Sequence, residues 1–153
     1  MSPQPHEADV EVITTTFAMT SVTDRAGSDE DITATLTYDA TEPFSVRASF
    51  VIQGCEPVHW VLARDLLRKG VALPSGLGDV RIYPGESGFL LELRSDNGRA
   101  FLYGPIEPLV EFVGRMYGLV ADGAEHEHFS FEAELERLVA APVDSTPQNS
   151  DPA

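Results

Sequence analysis

The chain has 153 residues, a length that fits one domain whose core buries roughly two thirds of the surface exposed by the unfolded chain. Its 25 acidic and 10 basic side chains give a formal net charge of −15, which repels phosphate backbones and anionic lipid surfaces. No stretch reaches the ~20 apolar residues that span a bilayer. We therefore expect neither nucleic acid nor direct membrane insertion among its interactions.

Composition divides the chain into a folded middle and two polar ends. Residues 1–9 and 142–153 are predicted to be disordered tails, because polar residues and prolines replace the apolar pattern there, and the folded domain is predicted at 10–141. The N-terminus lacks the basic opening and apolar run of a secretory signal. The single cysteine, Cys55, fits a reducing compartment and is interpreted as a small apolar filler. The resulting expectation is a cytoplasmic location.

Alternation with period two dominates the first two thirds of the domain and predicts strands with one buried face. Ile32, Leu36 and Tyr38 fall on one face, while the threonines between them fall on the other. A polar turn at 39–43 separates this run from the next, and the charged segment 24–31 is predicted to be an exposed loop. About seven strands are predicted in all, at 10–18, 32–38, 45–52, 57–62, 79–83, 88–95 and 99–103.

Helical periodicity replaces the alternation near the end of the domain. The spacing predicts a helix over 106–119 and a second helix that starts near Ser130, a suitable N-cap residue. A short helix is also predicted over 62–69, ending at Gly70. The fold class expected is α+β, an antiparallel sheet of about seven strands packed with two or three helices.

No catalytic motif survives inspection of the sequence, and the protein is not expected to be an enzyme. His126 and His128 stand two residues apart before the last predicted helix and could supply two metal ligands, but no third ligand stands in register. A metal-dependent enzyme that uses these histidines stays open as an outside alternative. No cofactor and no metal site are predicted.

A surface for binding other proteins is the remaining hypothesis. Arg64, Arg68 and Lys69 form a basic cluster in the short helix 62–69, and Trp60 precedes them. A large aromatic side chain beside arginines is a combination enriched at interfaces, so these four residues are predicted to bind a partner. The alternatives are that Trp60 belongs to the core and that the cluster is a solvated helix face.

Six short blocks occur in an order that resembles the SsgA-like proteins of sporulating actinobacteria. The blocks cover most of the predicted domain: LTYD at 36–39, EPFSV at 42–46, WVLARDLL at 60–67, GV at 70–71, PSGLGDV at 74–80 and EHEHF at 125–129. None of them is a chemical motif, so the resemblance names a family and not a reaction.

The resemblance implies a Whirly-like fold, assembly as a homotrimer, and a non-enzymatic role in sporulation-specific cell division. It further implies a protein-protein adaptor recruited to the division septum, where it would act in septum-site selection or in septal wall synthesis and spore maturation. The implied partners are division-machinery proteins, either FtsZ or another SsgA-like protein. The Whirly likeness also raises an alternative, a module that binds single-stranded nucleic acid, for which the net charge of −15 has the wrong sign.

Overall fold

The computed structural model describes residues 11–22 and 30–127, and the statements below concern those residues. Two helices are present, α1 (Arg64–Gly70) and α2 (Ile106–Leu119), with a 3₁₀ turn at Glu125–Glu127. Eight strands accompany them: β1 (Val12–Val22), β2 (Glu30–Asp39), β3 (Ser45–Ile52), β4 (Val58–Ala63), β5 (Ser75–Leu77), β6 (Val80–Pro84), β7 (Gly88–Ser95) and β8 (Gly98–Pro105).

The eight strands form a single curled sheet in the order β4-β3-β2-β1-β8-β7-β6-β5, with every neighbouring pair antiparallel. Each half of the sheet is a four-stranded meander. The two halves are joined only at the end of β1, where Thr20, Ser21 and Val22 pair with Tyr103, Leu102 and Phe101 of β8. The α+β class predicted from the sequence is confirmed.

Several boundaries differ from the prediction. The strand β5 was not predicted, because three residues are too few to show an alternating pattern. The strand β1 continues past residue 18, and the polar residues Glu30 and Asp31, predicted in a loop, begin β2 because they pair with Ser21 and Thr20. The helix α1 begins at Arg64, two residues later than expected. The two tails, loop residues 24–29 and the helix near Ser130 lie outside the described residues.

The hydrophobic core lies on the concave side of the sheet. The alternation predicted for β2 is confirmed, since Ile32, Ala34, Leu36 and Tyr38 are all buried. The helix α2 covers β1 and β7 with its buried face, which includes Leu109, Phe112 and Met116. The helix α1 contacts both edge strands, β4 and β5, as well as β6. It therefore closes the curled sheet where its two edges approach.

The turn between β7 and β8 is as tight as its sequence indicates. Ser95 pairs directly with Gly98, so only Asp96 and Asn97 connect the strands. Gly98 has a φ of 132°, a conformation that side chains with a Cβ rarely adopt. The turn therefore sets the register of the hairpin and brings Arg94 opposite Arg99.

Candidate interaction surface

The four residues predicted to bind a partner lie on β4 and α1. Trp60 is in the middle of the edge strand β4, and the three basic residues lie in the helix that follows it. Among the described residues, no ring contact or hydrogen bond links Trp60 to the basic side chains. The structure thus separates an aromatic part and a basic part of the predicted surface.

Arg64 is not on the surface at all. It is 1% exposed, and it occupies the point where α1, β2 and the end of α2 meet. Its guanidinium donates hydrogen bonds to the backbone oxygens of Met116 (3.3 Å), Val120 (2.7 Å) and Ala121 (3.4 Å). The last carbonyls of a helix have no partner within the helix, and a cation suits the negative end of the helix dipole. Arg64 therefore caps the C-terminus of α2.

Three further side chains complete the surroundings of Arg64, one each from β2, the 3₁₀ turn and α2. Its guanidinium donates to the Tyr38 hydroxyl (3.0 Å) and forms an ion pair with a carboxylate oxygen of Glu125 (2.9 Å). The Tyr38 hydroxyl in turn donates to the Pro43 carbonyl (3.0 Å). The Tyr117 ring stacks on the guanidinium, whose central carbon Cζ lies 3.7 Å from the centroid of that ring. We call Arg64, Tyr38, Tyr117 and Glu125 the arginine hub.

Burial and contacts within the hub favour neutral hydroxyls on its two tyrosines and a charged carboxylate on Glu125. Burial raises the pKa of the Tyr38 and Tyr117 hydroxyls, which stay neutral. The pKa of Glu125 is lowered by a hydrogen bond from its own backbone N–H, and by Arg64 and the Gly123 N–H, which together outweigh its desolvation. Glu125 is thus a carboxylate opposite a buried cation, which is the condition for a stable buried pair.

The other two basic residues are exposed. Arg68 pairs with Asp65 at 2.6 Å, and Lys69 pairs with the other oxygen of the same carboxylate at 3.0 Å. Arg68 also lies 5.6 Å from the centroid of the Tyr117 ring, on the solvent side of the arginine hub. These residues form the accessible part of the predicted basic cluster, but they share the Asp65 carboxylate and Arg68 also lies 4.0 Å from Asp122, so part of their charge is already neutralised.

Trp60 is half-buried against the core and lines an apolar groove of about 280 Å³. The groove opens at the end of the curled sheet nearest the β7–β8 turn, with Ile32, Phe50, Leu93 and Leu102 on its walls. The outward neighbour of Trp60, Val61, is 66% exposed on the other face of β4. Trp60 therefore packs against the core and also lines the groove, so the interpretations as a core residue and as an interface residue both keep a structural basis.

The remaining candidates from the sequence are dispersed. His126 is exposed in the 3₁₀ turn, with its ring centroid 6.5 Å from that of Phe44, and His128 lies outside the described residues. Within residues 11–22 and 30–127, no three His, Cys, Asp or Glu side chains are placed to hold a metal ion together. Cys55 is exposed in the turn between β3 and β4, so its interpretation as a buried filler is wrong.

Sequence reasoning missed the roles of Tyr38 and Glu125. Three of the four hub residues lie in the blocks LTYD, WVLARDLL and EHEHF that carry the family resemblance, but Tyr38 and Glu125 are 26 and 61 residues away from Arg64 in the sequence. Only folding brings them together.

In the described part of the chain, no helix has the length and apolar character needed to cross a membrane.

The protein families to which the chain is similar agree with the resemblance seen in its sequence. Residues 32–125 match the model of a family described as Streptomyces sporulation and cell division protein, SsgA. The sporulation-specific cell division protein SsgB of Streptomyces coelicolor is 39% identical over 113 residues, which are 71% of this chain and 82% of that protein. The SsgB protein of Thermobifida fusca is 37% identical over 108 residues, 68% of this chain and 78% of that protein.

Solved structures give the same answer for the fold. The crystal structure of an SsgA-like sporulation-specific cell division protein from Thermobifida fusca superposes with a TM-score of 0.74 at 34% identity, covering 84% of this chain and 96% of that one. A structure from work on SsgB mutations that correlate to longitudinal cell division during sporulation of Streptomyces coelicolor gives 0.72 at 35% identity, covering 78% and 97%. The similarity thus spans nearly the whole of both solved chains.

Proposed function

This chain belongs to the SsgA family of sporulation and cell division proteins, and we propose that within this family it is a non-enzymatic regulator of sporulation-specific cell division. The observation that carries the proposal is the similarity to SsgB of Streptomyces coelicolor over 82% of that protein. The family model matches residues 32–125, a range that contains all four residues of the arginine hub.

The regulator acts, in this proposal, as a protein-protein adaptor. It is recruited to the division septum and contributes to septum-site selection, or to septal wall synthesis and spore maturation. Its partners are division-machinery proteins, FtsZ or another SsgA-like protein, and it assembles as a homotrimer. The names of the relatives support the process, and the family resemblance supports these finer assignments.

The partner surface that we propose has two separate parts, Trp60 at the apolar groove and the exposed cations Arg68 and Lys69 on α1. Arg64 is left out, because the residue is 1% exposed and its guanidinium already binds acceptors within the protein. Its contribution is indirect, since it holds α1 against α2 and so fixes the position of the two exposed cations. The nucleic-acid-binding alternative finds no support in the names of the relatives, all of which concern cell division.

Localisation and genetic complementation test this role. The gene is deleted in its own sporulating host and replaced by a fluorescent fusion of the full chain. We expect septal foci during sporulation, and abnormal septation or spore maturation in the deletion strain. An Arg68→Glu, Lys69→Glu fusion should lose its foci, because the charge of the proposed surface is reversed, whereas Arg115→Glu on the exposed side of α2 should retain them.

A diffuse fusion together with normal septation and normal spores in the deletion strain would refute the proposed role. If foci persist in the Arg68→Glu, Lys69→Glu strain at wild-type protein levels, the role stands and the proposed surface is rejected. Light scattering on the purified protein tests the assembly separately, because a mass equal to one chain contradicts the homotrimer.

A further inference from the structure

The outer, convex face of β6, β7 and β8 carries a cluster of arginines that is not visible in the sequence. Leu91 and Leu93 of β7 point into the core, so the residues between and after them, Glu92 and Arg94, point outward. Strand register places Arg81 beside Glu92, and Arg99 beside Arg94. Arg81, Arg94 and Arg99 come from three strands, and we call them the outer arginine cluster.

Two members of the outer arginine cluster oppose each other directly. Arg94 and Arg99 are cross-strand partners, with side chains about half exposed at 48% and 55%. Like charges at directly opposite positions of an antiparallel pair destabilise a sheet. The register that produces this pair is set by the tight turn at Asp96 and Asn97. The fold therefore holds two cations together at a cost in stability.

A single carboxylate compensates for this repulsion. Glu92 is 5% exposed beneath the cluster, and its Oε2 lies 3.4 Å from Arg99 and 3.6 Å from Arg94, while its Oε1 accepts a hydrogen bond from the Tyr83 hydroxyl (3.1 Å). Both oxygens of Glu92 are therefore engaged. The guanidiniums still present most of their N–H donors to solvent, because each carries five.

The outer arginine cluster has an excess of positive charge. Arg81 is exposed, and among the residues that the structure describes no carboxylate lies within 4.0 Å of its guanidinium. Three cations thus stand around the buried carboxylate of Glu92, and the exposed Asp79 opposite Arg94 forms no ion pair within 4.0 Å among the described residues, so the face keeps a net positive charge. In a chain with a net charge of −15 this local excess is a strong departure from the surroundings, and it favours an anionic ligand that contacts only this face.

Aromatic rings continue the same face. Phe101 follows Arg99 on β8 at a spacing of two residues, with the guanidinium 5.8 Å from its ring centroid. Tyr103 comes next on the same side and is 47% exposed, and Tyr83 on β6 is 37% exposed. Successive residues on one face of a strand are about 6.6 Å apart. The face therefore runs from paired arginines at the turn to exposed rings farther along.

A short acidic peptide fits this charge pattern better than a nucleic acid does. The excess charge is local, and at physiological ionic strength it acts over a Debye length of about 8 Å. A long polyanion would also meet the field of the remaining acidic surface, which repels it. Arginine forks bind carboxylates in a bidentate manner, and exposed tyrosines accept apolar side chains.

The last described residues lie on the opposite side of the sheet from the outer arginine cluster. The last described residues, Glu125–Glu127, follow the arginine hub, which lies on the concave side beside Tyr38 at the end of β2. The outer arginine cluster lies on the convex side, near the end of β1 that pairs with Phe101. The two ends of the 11-residue strand β1 are roughly 35 Å apart.

We propose that the outer face of β6–β8 docks an acidic peptide segment of a partner protein, with its carboxylates on Arg94, Arg99 and Arg81 and apolar side chains on Tyr83 and Tyr103. This goes beyond the proposed role in septation, because binding of a peptide to the purified protein is measured without reference to cell division.

Fluorescence anisotropy with the full chain tests the docking face. The probe is a short labelled peptide in which several glutamates precede two phenylalanines, and its control has glutamines in place of the glutamates. We expect the acidic peptide to bind and the glutamine peptide not to bind, and we expect the affinity of the acidic peptide to fall as the salt concentration rises. The double variant Arg94→Gln, Arg99→Gln should weaken binding about tenfold, since it removes two exposed ion pairs.

Matched variants separate binding from folding. Arg81→Gln leaves Glu92 and its partners untouched, and it should weaken binding about threefold with an unchanged unfolding midpoint. Arg115→Gln, on the exposed side of α2, should bind like wild type. If the double variant folds poorly, Arg81→Gln decides the matter by itself.

Four outcomes would overturn the proposal. Equal binding of the glutamine peptide would show that charge is not recognised, and wild-type affinity in Arg81→Gln and the double variant would place the site elsewhere. A marked gain in affinity on removal of residues 142–153 would make the chain's own tail the occupant. A loss of oligomer mass in the double variant, seen by light scattering, would make the occupant a second copy of the chain.

Discussion

Arg64 and the Arg94–Arg99 pair show two opposite uses of the same side chain. Arg64 is buried on the concave side, and its guanidinium meets three backbone carbonyls, a tyrosine hydroxyl and the Glu125 carboxylate. Arg94 and Arg99 stand half-exposed on the convex side and share one carboxylate, Glu92. Around Arg64 the protein supplies acceptors for a single guanidinium. Around Arg94 and Arg99 two guanidiniums share one carboxylate, so some of their N–H donors have no acceptor among the residues that the structure describes.

The difference separates a region that stabilises the fold, the arginine hub, from a region available for binding, the outer arginine cluster. A buried guanidinium without acceptors would cost several kcal/mol, so the arginine hub can exist only as a complete set. Exposed guanidiniums are solvated, so an incomplete set is tolerated on the convex face. We therefore expect substitutions in the hub to change the free energy of unfolding, and substitutions in the outer arginine cluster to change binding.

The largest effect should come from Arg64→Ala. It removes the guanidinium that binds the carbonyls of Met116, Val120 and Ala121 at the end of α2 and leaves Glu125 without its cation, so the free energy of unfolding should fall by about 3–5 kcal/mol. Urea denaturation followed by circular dichroism measures this loss. A fall of less than about 1 kcal/mol, the ordinary size for an exposed ion pair, would contradict the buried hub.

A smaller loss is expected from Glu92→Gln. This change preserves the shape of the side chain but removes the charge between Arg94 and Arg99, so their repulsion should lower the unfolding midpoint in urea. Adding Arg94→Gln to the same chain should restore part of the midpoint, because the opposing cations are then reduced to one. If Glu92→Gln lowers the unfolding midpoint equally with and without Arg94→Gln, the repulsion between Arg94 and Arg99 is absent.

Acid should weaken both regions together. The pKa of Glu125 is lowered chiefly by its backbone hydrogen bond, and that of Glu92 is lowered because Tyr83 and the arginines outweigh its desolvation. A lowered pKa means that the folded state holds the proton less readily than the unfolded state. The stability from these groups is therefore complete above the unfolded value near 4.5 and is lost as pH falls through the folded values.

Unfolding midpoints measured between pH 7 and pH 3 test this dependence. Glu125→Gln should flatten part of the acid limb, because the folded and unfolded states of the variant no longer differ in proton binding at that site. A wild-type midpoint that rises on acidification would contradict the assignment of both carboxylates.

The smallest effect should come from Arg68→Ala. Its ion pair with Asp65 is short, but both side chains are about half exposed, with 43% and 53% accessible, and water screens the interaction. The unfolding midpoint should match that of wild type within error, which makes this variant the control for Arg64→Ala one helical turn away. A loss similar to that of Arg64→Ala would remove the distinction between buried and exposed members of the basic cluster.

The strands and the main helix were predictable because their signals are local. Alternation of apolar and threonine side chains identified β2 and its buried face, and helical spacing identified α2, whose range of 106–119 is confirmed. The family was predictable as well, since its blocks are short contiguous strings whose order can be read directly. The three-residue strand β5 was not predictable, because its pairing with β6 and not its own pattern makes it a strand.

By itself, the sequence determined the α+β class, the buried face of β2 and membership of the SsgA family, because each depends on residues close together in the chain. Only the tertiary structure decided what the arginines do. Arg64 and Arg68 are four residues apart and look alike in the sequence, but one is 1% exposed and the other lies at the surface. Arg81, Arg94 and Arg99 look scattered, but strand register unites them. Burial and cross-strand pairing are relations between distant segments, and a local pattern carries no record of them.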